Sequence, residues 1–259
     1  MTLIRIASWN VNSIRAREER LLAWLARREP DVVCLQETKV TEELFPREAL
    51  ERAGYAAAVQ GQKTYNGVAV LSRGELENVQ VGLQDGVDDP EARVVSAEVS
   101  GVRVISVYVP NGQVVGSEKY AYKLEWLARL RDYLARTAEP GQALAICGDF
   151  NVAPHDRDVA DLELFRDSVL CHSDVRAAFE GLLDWGLVDS FRELHPDEIK
   201  YSWWDYRQLA FPRNQGLRID HVLATRPLLA GLREAEIDRD ERKGKKPSDH
   251  APVLTAFEV

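Results

Sequence analysis

Apolar and polar positions along the chain follow two periods, and these periods divide it into strands and helices. Alternating or short continuous apolar runs predict strands, whereas apolar residues spaced three and four apart predict helices. The predicted strands are IRIASWNV, DVVCLQET, GVAVLS, the pair within ARVVSAEVSGVRVISVYVPNG, ALAICGDFN, RIDHVLA and APVLTAFEV. The predicted helices are RAREERLLAWLARREP, which ends at Pro30, a segment from about Ser117 to Ala135, and a segment near Val175–Trp185.

The order of these elements favours a layered protein. Ser100-Gly101 separates two alternating strands and predicts a hairpin, and DVVCLQET is typical of a strand that is buried on both faces. Strands mixed with helices predict an α/β or α+β arrangement, in which helices cover the outer faces of two packed sheets. No repeat, low-complexity tract or Gly/Ser linker divides the sequence, so we expect one domain over residues 1–259.

Composition narrows the class of protein. The chain has 259 residues, 45% of them apolar and 29% charged, which is typical of a soluble globular protein. Its longest apolar runs are too short for a membrane span or a signal peptide. The three cysteines lack metal-binding spacing, which favours a reduced, cytoplasmic protein.

The net charge of −9 argues mildly against a nonspecific binder of polyanions. A local basic patch nevertheless stands in DRDERKGKKPSDH. Its members are Arg239, Arg242, Lys243, Lys245 and Lys246. The patch fits either a solvated loop or a surface that faces an anionic substrate.

Polar side chains interrupt the apolar strands mainly where the strands end. They are Asn10, Glu37, Tyr108, Asn111, Asp149, Asn151, Asp220, Asp249 and His250. Any one of them could satisfy backbone groups in a turn. Strand ends at one edge of a sheet form the rim on which sites are commonly built, so we expect these residues to converge.

The residue types predict metal-assisted displacement at phosphorus. Asp149 and Asn151 are two apart in GDFN and share a face if the segment is extended, which suits the orientation of a water molecule. Oxygen groups such as those of Glu37 and Asn10 favour Mg²⁺ or Mn²⁺ over Zn²⁺. The sequence has neither a GxSxG elbow nor a GxxxxGK[ST] loop, which disfavours serine acyl transfer and P-loop nucleotide transfer.

Asp249 and His250 are adjacent, yet neighbours in an extended segment point to opposite sides. The partner of His250 must then come from another strand end, for which Asp220 is the candidate. Asp249 is left to face a cation, directly or through water. A short contact between the Asp220 carboxylate and the His250 ring is the structural test of this pairing.

Several segments together resemble the exodeoxyribonuclease III family, the bacterial apurinic/apyrimidinic endonucleases of the endonuclease/exonuclease/phosphatase superfamily. They are ASWNVNSIRAR, PDVVCLQETKV, YVPNG, GDFNVAP, DWGLVDSFR, YSWWDYR, GLRIDHVLA and KPSDHAPV, in order over nearly the whole chain. GDFN and SDH are shared across the superfamily, whereas LQETK, SWWDYR and GLRID are more specific to the DNA-repair branch.

The resemblance implies a four-layered α/β sandwich with two packed mixed sheets flanked by helices, as in deoxyribonuclease I. It implies a Mg²⁺ cofactor, for which Mn²⁺ substitutes, and a monomer that acts on double-stranded DNA with abasic sites or 3′ ends. The expected reactions are incision 5′ to abasic sites, 3′→5′ exonuclease action and 3′-phosphatase action.

The resemblance also assigns roles to residues. The expected catalytic residues are Tyr108, Asp149, Asn151, Asp220 and His250, and the expected metal residues are Asn10, Glu37, Asp149, Asn151 and Asp249. The expected DNA-binding residues are Asn12, Lys39, Asn111, Trp203, Trp204, Arg207 and Arg218. Asp149 would activate the attacking water, and Asn151 would orient it. Tyr108 and Asn111 would contact the phosphate. The catalytic roles of Asp149 and His250 have competing assignments in enzymes of this kind.

Alternatives remain for parts of this interpretation. Trp203 and Trp204 would point to opposite sides if the segment is extended, so each of them could either pack in the protein or contact the substrate. Arg207 and Arg218 could form surface salt bridges or hold phosphates. A rival enzyme would keep the metal site but act on a phosphoinositide, sphingomyelin or an RNA tail. A non-catalytic scaffold would require loss of site residues, and the core positions are all present.

Overall fold

The computed structural model of the protein describes residues 2–259. Its strands are β1 Leu3–Asn10, β2 Val32–Gln36, β3 Ala56–Gln60, β4 Val68–Ser72, β5 Glu77–Val81, β6 Val94–Val99, β7 Val102–Tyr108, β8 Leu144–Asp149, β9 Leu187–Asp189, β10 Asp220–Thr225, β11 Leu232–Ile237 and β12 Val253–Glu258. Its α-helices are α1 Ile14–Arg28, α2 Arg47–Arg52, α3 Glu118–Thr137, α4 Leu162–Phe165, α5 Ser173–Asp184, α6 Ser190–Leu194 and α7 Arg226–Leu229. Short 3₁₀ turns cover Glu42–Leu44, Asp156–Asp158 and Arg239–Arg242.

The strands form two mixed six-stranded sheets. The first has the order β11-β12-β1-β2-β4-β3 and the second the order β5-β6-β7-β8-β10-β9. In each sheet one central pair is parallel, β1 with β2 and β7 with β8, and the other pairs are antiparallel. The predicted four-layered α/β sandwich is confirmed.

Three apolar cores separate the four layers. The central core lies between the sheets and contains Ile6, Val104 and Val222 among many aliphatic side chains. Helix α1 packs Trp24 and its neighbours on the outer face of the first sheet, and helices α3 and α5 cover the outer face of the second. Burial of β2 on both faces agrees with its continuous apolar sequence.

Alternation along the strands carries polar groups into the space between the sheets. Ile4 and Ile6 of β1 face the central core, so Asn10, which has the same parity, points to the same side at the end of the strand. Val104 of β7 and Cys147 of β8 also face that core, which places Tyr108 and Asp149 on the inner face. The strand ends therefore meet at one open end of the sandwich.

Local sequence explains the main boundaries. Ser13 caps α1 by accepting a hydrogen bond from the Ala16 amide, and the helix ends at Glu29, before Pro30. Ser100 and Gly101 have φ values of 51° and 77°, the left-handed pair that a two-residue hairpin needs, so this predicted hairpin is confirmed. Among the described residues, no helix is both long and apolar enough to cross a bilayer.

Candidate active site

Sheet register aligns three polar strand-end residues in a row. Tyr108 pairs with Asp149 across the parallel strands β7 and β8, and Asp149 pairs with Asp220 across the antiparallel strands β8 and β10. The first sheet faces them with Asn10, at the end of β1, and Glu37, directly after β2. The predicted convergence of strand ends is therefore present.

Two carboxylates and an amide form the centre of the site. The Asn10 amide nitrogen donates to Glu37 Oε1 at 2.8 Å and to Asp149 Oδ2 at 2.9 Å. Burial raises the pKa of the Asp149 carboxyl to about 7, with Asp220 and Glu37 adding to the rise and His250 opposing it. Burial also disfavours ionised Glu37, but Lys39 and Asn10 outweigh it and lower the pKa of that carboxyl. The site thus concentrates negative charge in a region shielded from water.

His250 lies between two carboxylates. Its Nδ1 is 2.9 Å from Asp220 Oδ2, and its Nε2 is 3.7 Å from Asp149 Oδ2. Burial opposes the charged imidazole, but Asp220 and Asp149 prevail and raise the pKa of His250 to about 10. The Ser202 hydroxyl donates to Asp220 Oδ2 at 2.6 Å and fixes that carboxylate. The predicted contact of Asp220 with His250 is present, and the imidazole is cationic at neutral pH.

Asp249 faces away from its neighbour, as the alternation predicts. Its carboxylate accepts hydrogen bonds from Asn12 Nδ2 at 2.9 Å and from Trp203 Nε1 at 3.1 Å. Lys39 Nζ donates to Asn12 Oδ1 at 2.6 Å and lies 2.7 Å from Glu37 Oε2. Asp249 is therefore joined to Glu37 through Asn12 and Lys39.

A candidate cation position lies at the centre of the site. Donor atoms of Glu37, Asp149 and His250 all lie within 4.8 Å of one another. In the part of the chain that the structure describes, Asp249 does not belong to a cluster of this kind. Since protonated His250 has no free lone pair for a metal, the carboxylates are the candidate ligands.

Asn111 and Asn151 form an amide pair beside the carboxylates. Asn111 Nδ2 donates to Asn151 Oδ1 at 3.0 Å, and Asn151 Nδ2 donates to the Val109 carbonyl at 3.0 Å. The backbone N–H of Asn151 donates to Asp149 Oδ1 at 2.9 Å, which ties the residue to the end of β8. The chain turns at Asn151 with φ 51°, so the shared orientation arises from a turn rather than from continued strand.

Sequence reasoning missed Lys123, which holds this amide pair from behind. The fully buried ammonium donates to the carbonyls of Asn111 at 3.1 Å, Asn151 at 2.6 Å and Val169 at 2.6 Å. Burial lowers the pKa of Lys123 to about 7. A signal existed: Lys123 lies on the apolar stripe of α3, between Tyr120 and Leu127.

Tyr108 brings a phenol to the rim of the same cluster. Burial raises the pKa of its hydroxyl well above the ordinary value, and the charges of Glu37 and Asp149 add to the rise. The Arg93 guanidinium lies 4.8 Å from the centre of the ring and orients it. Tyr108 therefore stays protonated and can donate a hydrogen bond.

Five of the seven predicted DNA-binding residues lie at or beside the site, in two groups. Trp203 and Arg207 line a cavity of about 410 Å³ next to the site, together with Leu164, Phe165 and Ala210. Arg207 is exposed and pairs with Asp205 at 2.8 Å. Asn12, Lys39 and Asn111 lie at the site itself.

Two expectations require correction. Trp204 is fully buried and packs edge-on against Phe211, so it belongs to the core and is shielded from a ligand. Arg218 is 1% exposed, and its guanidinium donates to Asp158 and Asp189, both at 2.7 Å. It therefore belongs to a buried ion-pair network and cannot reach a phosphate.

Comparison with known proteins agrees with this geometry. A family model described as "Endonuclease/Exonuclease/phosphatase family" matches residues 7–250. The chain therefore belongs to the Endonuclease/Exonuclease/phosphatase family. It is 36% identical to exodeoxyribonuclease III of Haemophilus influenzae over 98% of this chain and 100% of that protein.

Solved structures give the same assignment. An AP endonuclease from Archaeoglobus fulgidus matches with a TM-score of 0.96 and 42% identity, covering 99% of this chain and 100% of that one. The 3′ phosphatase NExo from Neisseria, bound to product DNA hairpin, matches with a TM-score of 0.95 and 42% identity over the same shares. Within the family, the chain is thus of the exodeoxyribonuclease III type, a DNA-repair nuclease that hydrolyses phosphodiester bonds.

Proposed function

We propose that the chain incises duplex DNA 5′ to abasic sites and removes nucleotides or blocking groups from 3′ ends, by Mg²⁺-assisted attack of water on phosphorus. The observation that carries the proposal is the cluster of Glu37, Asp149 and His250, whose donor atoms lie within 4.8 Å of one another, with the His250 ring held by Asp220. The names of the relatives, an AP endonuclease and a 3′ phosphatase, support both substrates.

The donor set fits a small, hard cation. Glu37 and Asp149 offer carboxylate oxygens at a site where the charge of Glu37 raises the cost of ionising the buried Asp149. Oxygen ligands of this kind suit Mg²⁺ or Mn²⁺ rather than Zn²⁺. When bound there, the cation would neutralise charge on the phosphoryl oxygens.

The side chains of the site take complementary roles. Asp149 would accept a proton from water, and Asn151, hydrogen-bonded to Asn111, would orient that water. Protonated His250, held by Asp220, would stabilise the negative charge that develops on a phosphoryl oxygen, and Tyr108 would donate to the same phosphate. Asp249 acts through hydrogen bonds to Asn12 and Trp203 at the rim.

The test is incision of a duplex with one abasic site, beside release of phosphate from a 3′-phosphorylated duplex end, each with Mg²⁺ and with EDTA. We expect both reactions from the wild type with Mg²⁺ and neither with EDTA. Asp149→Asn keeps the shape of the side chain but removes the base, and should slow both reactions by about 100- to 10,000-fold.

Asp132→Asn is the matched control, since Asp132 is exposed on helix α3. We expect it to cleave at the wild-type rate. A wild-type protein that leaves the abasic-site duplex intact would contradict the proposed incision. Full activity of Asp149→Asn would instead contradict the role given to that carboxylate.

A further inference from the structure

The basic patch near the carboxyl terminus divides into structural and free charges. Arg242 is buried and donates to the carbonyls of Ser248 at 2.7 Å and Trp204 at 3.1 Å. Arg239 lies 4.1 Å from the centre of the Phe211 ring and donates to that residue's carbonyl at 3.0 Å. Both arginines are therefore committed to holding the fold together.

The lysines of the patch lie on a loop, residues 243–246, whose shape is set from inside. Arg20 of helix α1 donates to the carbonyls of Lys243 at 2.7 Å and Lys245 at 3.1 Å. The same guanidinium contacts the Glu241 carboxylate at 2.8 Å, which anchors it. With its carbonyls turned inward onto Arg20, the loop presents its lysine side chains to solvent.

Two of these lysines have no counter-charge. Lys243 pairs with Asp240 at 2.6 Å. Lys245 and Lys246 are exposed, and over residues 2–259 neither has a carboxylate within 4.0 Å. In a chain with a net charge of −9, two adjacent unpaired ammonium groups on an ordered loop form a local anion-binding surface.

The loop continues directly into the active site. Lys246 is followed by Pro247, whose carbonyl accepts hydrogen bonds from Arg17 at 3.1 Å and Tyr206 at 2.9 Å, and then by Ser248. The Ser248 hydroxyl donates to the Asn10 carbonyl at 2.6 Å. The unpaired lysines are thus three to five residues from Asp249 and His250 and are tied to the same strand end.

We propose that Lys245 and Lys246 bind backbone phosphates of duplex DNA that flank the bond to be cleaved. The inference rests on the proposed function and extends it beyond the catalytic cluster. A regular row of phosphates matches two adjacent ammonium groups held beside a phosphodiesterase site. Such contacts give affinity without reading sequence.

The experiment measures binding of an intact duplex with a non-cleavable abasic-site analogue, in Ca²⁺ in place of Mg²⁺, at 50 to 200 mM salt. The variant is Lys245→Gln/Lys246→Gln. Each lost phosphate contact should make the slope of log affinity against log salt shallower by about 0.9. For two contacts, the advantage of the wild type over the variant should shrink about 10-fold across this salt range.

The matched control, Arg226→Gln/Arg233→Gln, also removes two positive charges, but at the opposite end of the sandwich, after β10 and in β11. We expect it to keep the wild-type slope. Equal slopes for the wild type and the lysine variant would overturn the inference, as would an equal reduction in the control, which would indicate a general charge effect. Failure of the wild type to bind this duplex, or to cleave a duplex with a natural abasic site in Mg²⁺, would instead count against the proposed function.

Discussion

Replacement of Arg218 by methionine tests the structural role that the burial of this residue and its two ion pairs indicate. Methionine keeps much of the volume and removes the charge, which leaves the buried Asp189 carboxylate without the guanidinium that pairs with it at 2.7 Å. Breaking a buried ion pair costs about 3 to 5 kcal/mol of the free energy of unfolding. Asp158 keeps its ion pair with Arg192, so we expect the lower end, about 3 kcal/mol.

For a protein of this size, each kcal/mol lowers the melting temperature by about 2 °C. Calorimetry should therefore find Arg218→Met about 6 °C less stable than the wild type, with DNA affinity at 20 °C unchanged. Arg207→Met is the control, because its exposed ion pair with Asp205 contributes little. A melting temperature within about 1 °C of the wild type, or a loss of DNA affinity in the folded variant, would refute the reasoning.

Four further outcomes follow from the site and its supports. Asp220→Asn should slow single-turnover cleavage about 100-fold and bring the pKa of His250 down from about 10, which NMR titration of the ring would show. Lys123→Met should lower kcat more than it raises KM, because the backbone carbonyls of Asn111 and Asn151 lose the ammonium donor that they share. Lys123→Arg should restore part of the rate. Burial opposes the charged form of Asp189, but Arg218 and His221 outweigh it and hold the folded-state pKa of that carboxyl well below the unfolded value. The stabilisation that Asp189 adds to the folded state is therefore complete above about pH 4 and is lost as the pH falls towards the folded pKa. The urea midpoint of unfolding should drop from pH 5 to pH 2, and it should drop less in Asp189→Asn. Mg²⁺ at about 100 times its dissociation constant should raise the melting temperature by about 5 °C, measured without DNA, and Asp149→Asn should reduce that shift.

The sequence contains much of the information on the site because strand periodicity is local. Runs such as DVVCLQ and ALAICGD reveal both a buried strand and the polar residue at its end, and the alternation rule separates Asp249 from His250. The pairing of His250 with Asp220 follows from the same rule, since the adjacent carboxylate is on the wrong side. The structure shows that contact at 2.9 Å.

Long-range contacts account for what the sequence did not predict. Arg218 takes its role from Asp158 and Asp189, which are 60 and 29 residues away, and Trp204 is buried by a loop whose course has no periodic signal. Strands β3, β5, β9 and β11 were not predicted; β11 has the sequence LREAEI, whose Leu, Glu and Ala are common in helices. It forms a strand because it pairs with β12.

The charges around the cluster predict that a phosphate needs a cation in order to bind there. Four carboxylates, those of Glu37, Asp149, Asp220 and Asp249, face two cationic groups, Lys39 and His250. With all of them ionised, the cluster has an excess of two negative charges before an anionic phosphate arrives. A divalent cation would offset that excess and would also let Asp149 ionise, since burial and the charges of Asp220 and Glu37 oppose its charged form. Binding of phosphate and activation of the proposed base would then depend on the same ion, which predicts that substrate affinity and cleavage rate fall together when Mg²⁺ is removed.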